Sequence, residues 1–356
     1  MKLKYSKIAG IFIFLFSIAI NQNTKAQDLS FDNFLRAGSE DAGTLMGNYI
    51  SPFMRGFGYG MANGWYNTAK PHKKLGFDLT LNVSLAQVPT SDFLFAFNND
   101  DYNNISLASN SAPGASAQLP TIFGGTANES LSSSLTQSVG GQSVTASSIF
   151  PAPPGIDVQD FGYVPTPMLQ FGLGLIKNTD LKIRYIPTQS ADDYKVSLIG
   201  FGIMHDIKQW IPGIKQVPID LSVIVGYTKL NTDFKIAGAI PGDNQGAKFD
   251  VTALTYQVLV SKKFSILTLY GGLGFNKVTS ALKMTGTYIL PADIDPLVPI
   301  ALPDIVLTDP VDLSFDSSGA RATIGARIKL AILTLHADYT LQEYNTITAG
   351  IGFSLR

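Results

Sequence analysis

The chain has no cysteine, only three histidines and little charge. Lacking cysteine, it forms neither disulfides nor thiolate metal sites. His72 and His205 stand far apart in the sequence, near expected strand ends, and suggest no metal site. Charged residues make up 15% of the chain, against about 25% in an average soluble protein. Past the N terminus there is no apolar run of about 18 residues, so no helix is expected to span a membrane in the mature chain. Phosphate loops, zinc spacings and internal repeats are also missing. No cofactor is expected.

What is present begins with a secretion signal. Lys2, Lys4 and Lys7 precede an apolar stretch over 8–20, and Thr24, Lys25 and Ala26 supply cleavage-site chemistry, placing the cut after Ala26. Without 1–26 the chain carries 22 Lys and Arg against 27 Asp and Glu, a net charge of −5. That excess of acid gives no footing for a nucleic-acid partner.

The last stretch, 319–356, alternates strictly. Ala320, Ala322, Ile324, Ala326, Ile328 and Leu330 share one face, while Arg321, Thr323, Arg327 and Lys329 share the other. Two further alternating runs follow, Leu333 to Leu341 and Thr346 to Leu355. Period two is the strand signature, because successive Cβ atoms point to opposite sides. Residues 74–87 repeat the pattern, with Leu75, Phe77, Leu79, Leu81, Val83 and Leu85 on one face. Such runs exceed the roughly 5–6 residues usual for globular strands and suit tilted membrane strands. Asp78, Lys182, Arg184, Asp220, Lys283, Arg321, Arg327, Lys329 and Asp338 are all assigned to the face opposite the aliphatic one. Arg or Lys facing lipid at mid-bilayer costs about 2–4 kcal/mol, so apolar residues are expected outside and charge inside.

The expected fold is therefore all-β, a transmembrane antiparallel β-barrel of about 10–14 strands with a short helical N-terminal plug. Three segments are expected: a signal peptide over 1–26, a plug over 27–72 and the barrel over 73–356. In the plug, Ser39 is placed as the N-cap of a helix over 41–50, and Pro52 at the start of a second. Phe93 to Phe97 is expected to prolong the strand of 74–87. Residues 98–163, 231–247 and 289–311 are read as outer loops, with a hairpin in the first between 118–124 and 142–149. Short turns at Lys177 and Asn178, at 206–218, at 261–265 and at Leu330 and Ala331 then fall together on the periplasmic side. This order treats 266–288 as one long strand.

The stretches SEDAGTLMGNYISPFMRGFGYGMANGWYNTAK (39–70) and LHADYTLQEYNTITAGIGFSLR (335–356) sit in an architecture that resembles the long-chain fatty-acid transporters of the outer membrane (FadL-type), and most nearly Bacteroidota barrels of that broad group. The resemblance implies an outer-membrane protein, surrounded by lipid, that passes a fatty acid or another hydrophobic ligand. It also implies a plug entering from the periplasmic side. Arg55, Phe57, Tyr59 and Trp65 become candidate ligand contacts, with aromatic walls and one carboxylate partner; plain packing is the competing role for each. The other function considered is a non-transporting barrel that binds or scaffolds a partner, such as a secretion-machinery component or a surface adhesin. His336 and Asp338 share one face and could begin a catalytic pair, but a structural place in the lumen is preferred and no enzyme is expected.

Overall fold

A computed structural model describes residues 35, 38–139, 142–155, 162–190, 193–236, 240–290 and 304–355. The expected signal over 1–26 lies outside them. A 23-residue helix, α1 (Ser39–Met61), leads to β1 (Phe77–Gln87). Five short strands follow: β2 (Leu94–Asn98), β3 (Ile105–Leu107), β4 (Ser116–Pro120), β5 (Ser130–Val139) and β6 (Gln142–Pro151). Then come β7 (Tyr163–Gly174), β8 (Thr179–Ser190), β9 (Tyr194–Asp206), β10 (Asp220–Lys235), β11 (Gly246–Phe264) and β12 (Leu267–Thr285). The chain ends with β13 (Thr287–Leu290), β14 (Ile305–Thr308), β15 (Val311–Leu330), β16 (Leu333–Leu341) and β17 (Thr346–Leu355).

Ten of these strands close a barrel in the order β1, β17, β16, β15, β12, β11, β10, β9, β8, β7. The seam between β7 and β1 is antiparallel, like every other pairing in the wall. Closure leaves no unpaired edge, which a lipid-embedded sheet requires. The exterior carries Leu79, Phe201, Val258, Leu273, Ile324 and Ile351, all exposed, while Asp78, Arg184, Arg321, Arg327 and Asp338 are buried in the bore. This is the membrane-barrel arrangement, apolar out and polar in.

The hairpin ends fix the frame. Lys177 and Asn178 have φ of 56° and 53°, the left-handed pair that a two-residue hairpin demands. Positive φ at Ser265 and Ala331 marks two further tight turns at this end, after the longer connection between β9 and β10. The turn expected over 261–265 is narrower and later: β11 runs on to Phe264, pairing Lys262 with Leu269 and Lys263 with Thr268, and the chain turns at Ser265 and Ile266. Both lysines are exposed, so their ammonium groups reach water without the chain having to turn there. The stretch 266–288 is one strand for most of its length, β12 from Leu267 to Thr285; after Gly286 the chain leaves the wall, and β13 pairs with β14.

At the other end the additional strands build a hood. Phe93 to Phe97 does not prolong β1; β2 pairs with β4. The hairpin expected between 118–124 and 142–149 is also corrected, since β6 pairs with β5. Their connection is shorter, and closing it costs less chain entropy. The hood is sealed by Leu35, Leu45, Met46, Tyr49, Phe97, Tyr102, Leu119, Leu131, Phe150 and Tyr288.

Two further expectations fail in instructive ways. The plug was read as two helices, but α1 is continuous through Pro52, and its N-cap is Gly38. Pro removes one donor from a helix interior, yet here β1, β7, β11, β12 and β15 all pack against the helix and support it through Pro52. Lys283 was placed in the bore; it points outward and meets Asp312 at 2.7 Å. The cause lies in β12 and β15. Low on β12, Leu269, Leu273 and Phe275 face out while Thr268, Gly272 and Asn276 face in. Higher up, Lys277 and Lys283 face out while Val278 and Met284 are buried. In β15 the exterior changes from Ile324 and Ala322 to Ser318, Asp316 and Asp312, as the interior changes from Arg321 to Phe315, Leu313 and Val311. Asn276 pairs with Gly319 and Lys277 with Ser318, so both strands invert at one level. The strand direction never changes; its surroundings do.

Candidate functional site

The bore holds α1 and the segment after it, over 62–76. Glycines let the two surfaces meet. A Cβ on Gly58 would strike Val278, and one on Gly60 would strike Thr166. At the mouth, Arg55 lies 3.4 Å from Glu343, and the Tyr59 hydroxyl donates to the same carboxylate at 2.5 Å. The Tyr59 ring stacks on Tyr344 at 5.5 Å. Tyr344, in the turn between β16 and β17, donates to Asp92; burial first, then the Asp92 carboxylate, holds its phenol well above the ordinary range. Phe57 points elsewhere, into a ring cluster with Phe53 at 6.0 Å and Phe249 at 5.3 Å.

At the waist, two wholly enclosed arginines grip the end of α1. Arg184 Nη1 donates to the Met61 carbonyl at 2.8 Å and Nη2 to the Asn63 carbonyl at 2.6 Å. Arg321 Nη1 donates to the Ala62 carbonyl at 3.0 Å, and its Nη2 to Asn63 Oδ1. The last carbonyls of a helix lack intrahelical partners and carry the negative end of its dipole, so two cations there answer both needs. Trp65, 1% exposed, lies under Arg184 with the guanidinium carbon 3.7 Å from its ring. Gly202 makes room for the indole, since a Cβ there would sit 2.7 Å from it; Gly226 does the same from β10. Tyr66 donates to Gln257 at 2.9 Å, and Asn82 to the Gly64 carbonyl at 2.9 Å.

At the floor, beside the short turns, the His72 amide donates to Asp180 Oδ1 at 2.7 Å, and its ring Nδ1 lies 2.8 Å from Oδ2. Asp78 stands 3.4 Å from the other ring nitrogen. Ser222 donates to the Ala69 carbonyl at 2.6 Å, and Lys182 lies 3.9 Å from Asp180. The space left between His72, Asp78, Asp180 and Lys182 is about 10 Å³, room for one water. A wider hollow of about 580 Å³ opens on the outer wall, beside Val258, Leu269, Leu273 and Ile324; lipid, not the bore, is its surroundings.

The four candidate ligand contacts therefore do not share one pocket. Arg55 and Tyr59 meet at Glu343, Phe57 joins a separate ring cluster, and Trp65 lies at the waist. Each makes contacts within the fold. His336 and Asp338 do both face the bore, but Asp338 accepts from Tyr270 at 2.8 Å and His336 Nδ1 has no partner. Sequence reading placed Arg184 and Arg321 on the inward face without a partner, and did not single out Asp180. The available signal was Arg321, an inward arginine with no acid on the same face of its own strand. Among the described residues, no group of three or more His, Cys, Asp or Glu is placed to hold a metal ion.

Residues 3–355 match the model described as "Family of unknown function (DUF6588)". No curated protein matches. Among solved structures, the chain is similar to Ail, the attachment invasion locus protein of Yersinia pestis, at 6% identity over 79% of this chain and 99% of that one, with a TM-score of 0.27. It is also similar to the toluene transporter TbuX of Ralstonia pickettii, at 12% identity over 86% and 98% of the two chains, TM-score 0.21. A third is the translocator domain of the autotransporter NalP from Neisseria meningitidis, at 11% identity over 80% and 90%, TM-score 0.26. Scores this low carry no argument about what the bore does.

Proposed function

The chain belongs to the DUF6588 family of unknown function, and from that premise we propose an outer-membrane barrel whose bore stays shut, a binding or scaffold protein that presents its hood to a partner. A signal over 1–26 would carry it through the inner membrane, and the short-turn end would face the periplasm. The carrying observation is the filled bore. Backbone carbonyls from Met61 to Asn63 are held by Arg184 and Arg321, and His72 is held by Asp180. Passive passage of a fatty acid or other hydrophobic compound requires this filling to leave. Exit toward the short turns drags Leu35, Leu45 and Met46 out of the hood core and past a polar waist. Exit toward the hood breaks the floor contacts and is stopped by β1, which is part of the wall.

The test is conductance and uptake with the full-length protein in planar bilayers and vesicles. The closed reading expects no steady open-channel current and no faster entry of an alkyl or aryl tracer than into empty vesicles. Sustained tracer entry through the native protein overturns it and restores the channel reading.

A further inference from the structure

The hollow of about 580 Å³ on the outer wall has a floor, two sides and one charged end. Gly271 on β12 supplies the floor. It faces outward between Leu269 and Leu273, and its registered partners are Val260 on β11 and Ile324 on β15. With no side chain between them, those two stand apart. Beyond its own chain neighbours, a Cβ on Gly271 would come near the Thr323 carbonyl oxygen alone, at 3.0 Å. Toward the middle of the barrel the hollow is bounded by Val258 and its partner Leu273, and toward the short turn by Lys262 and its partner Leu269. From Lys262 to Val258 the strand covers about 13 Å, close to the roughly 15 Å that one leaflet contributes to a hydrocarbon core of about 30 Å.

Lys262 continues the outward row of Tyr256, Val258 and Val260, just before the turn at Ser265. Its Nζ lies 5.2 Å from the Phe264 ring, and Lys263 beside it is also exposed. No residue lining the hollow is acidic. Among the described residues, neither lysine has an ion-pair partner. A lysine at the edge of hydrocarbon extends its ammonium into the headgroup layer, where anionic lipid attracts it. We propose that this hollow binds one acidic phospholipid of the leaflet at the short-turn end: an acyl chain lies over Gly271 between Val260 and Ile324, and Lys262, with Lys263, holds the phosphate. The proposal rests on lipid surrounding the wall, and neither on a closed bore nor on which side of the cell the hood faces.

The test places the full-length protein in vesicles of phosphatidylethanolamine and phosphatidylglycerol with a trace of phosphatidylglycerol carrying a diazirine in one acyl chain. After irradiation, the labelled peptides are mapped by mass spectrometry. Label is expected on 258–273 and 320–326 at least fivefold above β1 and β7, which lie across the barrel from β11 and β12. A phosphatidylcholine probe is expected to show less than half of that excess. Gly271→Leu, which fills the floor from the lipid side, and the double variant Lys262→Gln, Lys263→Gln are each expected to lower the excess at least threefold. Both variants face lipid or headgroups, so the barrel's heat resistance should stay; if Gly271→Leu fails to fold, the lysine variant decides. An excess that survives the loss of both lysines overturns the proposal. So does even labelling around the wall, which means bulk lipid only. A pair of chains cross-linked through the hollow overturns it in favour of a second copy, and a larger excess from a diazirine fatty acid overturns it in favour of a ligand without phosphate.

Discussion

The lower and upper parts of β12 and β15, of which the upper pack into the hood, follow opposite rules. Below Asn276 and Gly319 the wall turns Leu, Ile, Val and Phe outward and encloses Arg, Asp, Thr and Gln. Above that level it turns Lys and Asp outward and encloses Val, Leu, Met and Phe. Hydrocarbon surrounds the first region and water the second, so each follows its own solvent. The difference also separates two kinds of cohesion. Apolar area holds the hood, whereas hydrogen bonds from buried arginines to backbone carbonyls hold the lower filling. Burial in the hood leaves its own trace, pushing the Tyr102 phenol up to about 12.

The largest effect is expected where the hood loses packing. Phe97 is fully buried and stacks on Tyr102 at 4.5 Å; Phe97→Ala should cost the hood about 3–5 kcal/mol. Limited proteolysis should then cut the hairpins over 94–151 while the barrel keeps its heat resistance, and loss of both together would mean the two regions do not fold separately. Next comes a charge placed on each half of one strand. Ile324→Arg, outward at a site 73% exposed, should cost about 2–4 kcal/mol in lipid vesicles. Ser314→Arg, outward but above the inversion, should stay within about 0.5 kcal/mol. Equal costs in urea titrations of the two would erase the boundary.

A smaller effect is expected at the waist. Gly226→Val drives a side chain into Trp65 and should cost about 1–3 kcal/mol by overpacking, read as a shift in indole fluorescence together with a lower unfolding midpoint. Smallest is the mouth. Arg55 and Glu343 are 38% and 43% exposed, so Arg55→Gln should change stability by about 0–1 kcal/mol, less still in high salt. An effect as large as that of Phe97→Ala would show that the mouth ion pair, not the hood core, secures the filling.

Much of the wall was legible because alternation is local. Leu79 and Asp78, or Ile324 and Arg321, declare their faces without reference to any other part of the chain, and Lys177 with Asn178 declares its turn. The errors came where a neighbour distant in sequence changed the meaning of a local pattern. Lys283 was assigned to the bore because one rule was applied to the whole strand. Pro52 was read as a break because propensity describes a helix in water. How Arg55, Phe57, Tyr59 and Trp65 are distributed was equally beyond local reading: they are close in sequence, and α1 and the loop after it carry them to three places in the bore.

By itself, then, the sequence determined the all-β class, the antiparallel hairpins and the separation of grease from charge, since a period of two needs nothing beyond adjacent residues. Tertiary structure alone decided the level at which inside and outside exchange character, the continuity of α1, and the meeting of Arg184 with Asn63 across 121 positions of chain. Those depend on what is packed against a face, and a face cannot encode its neighbour.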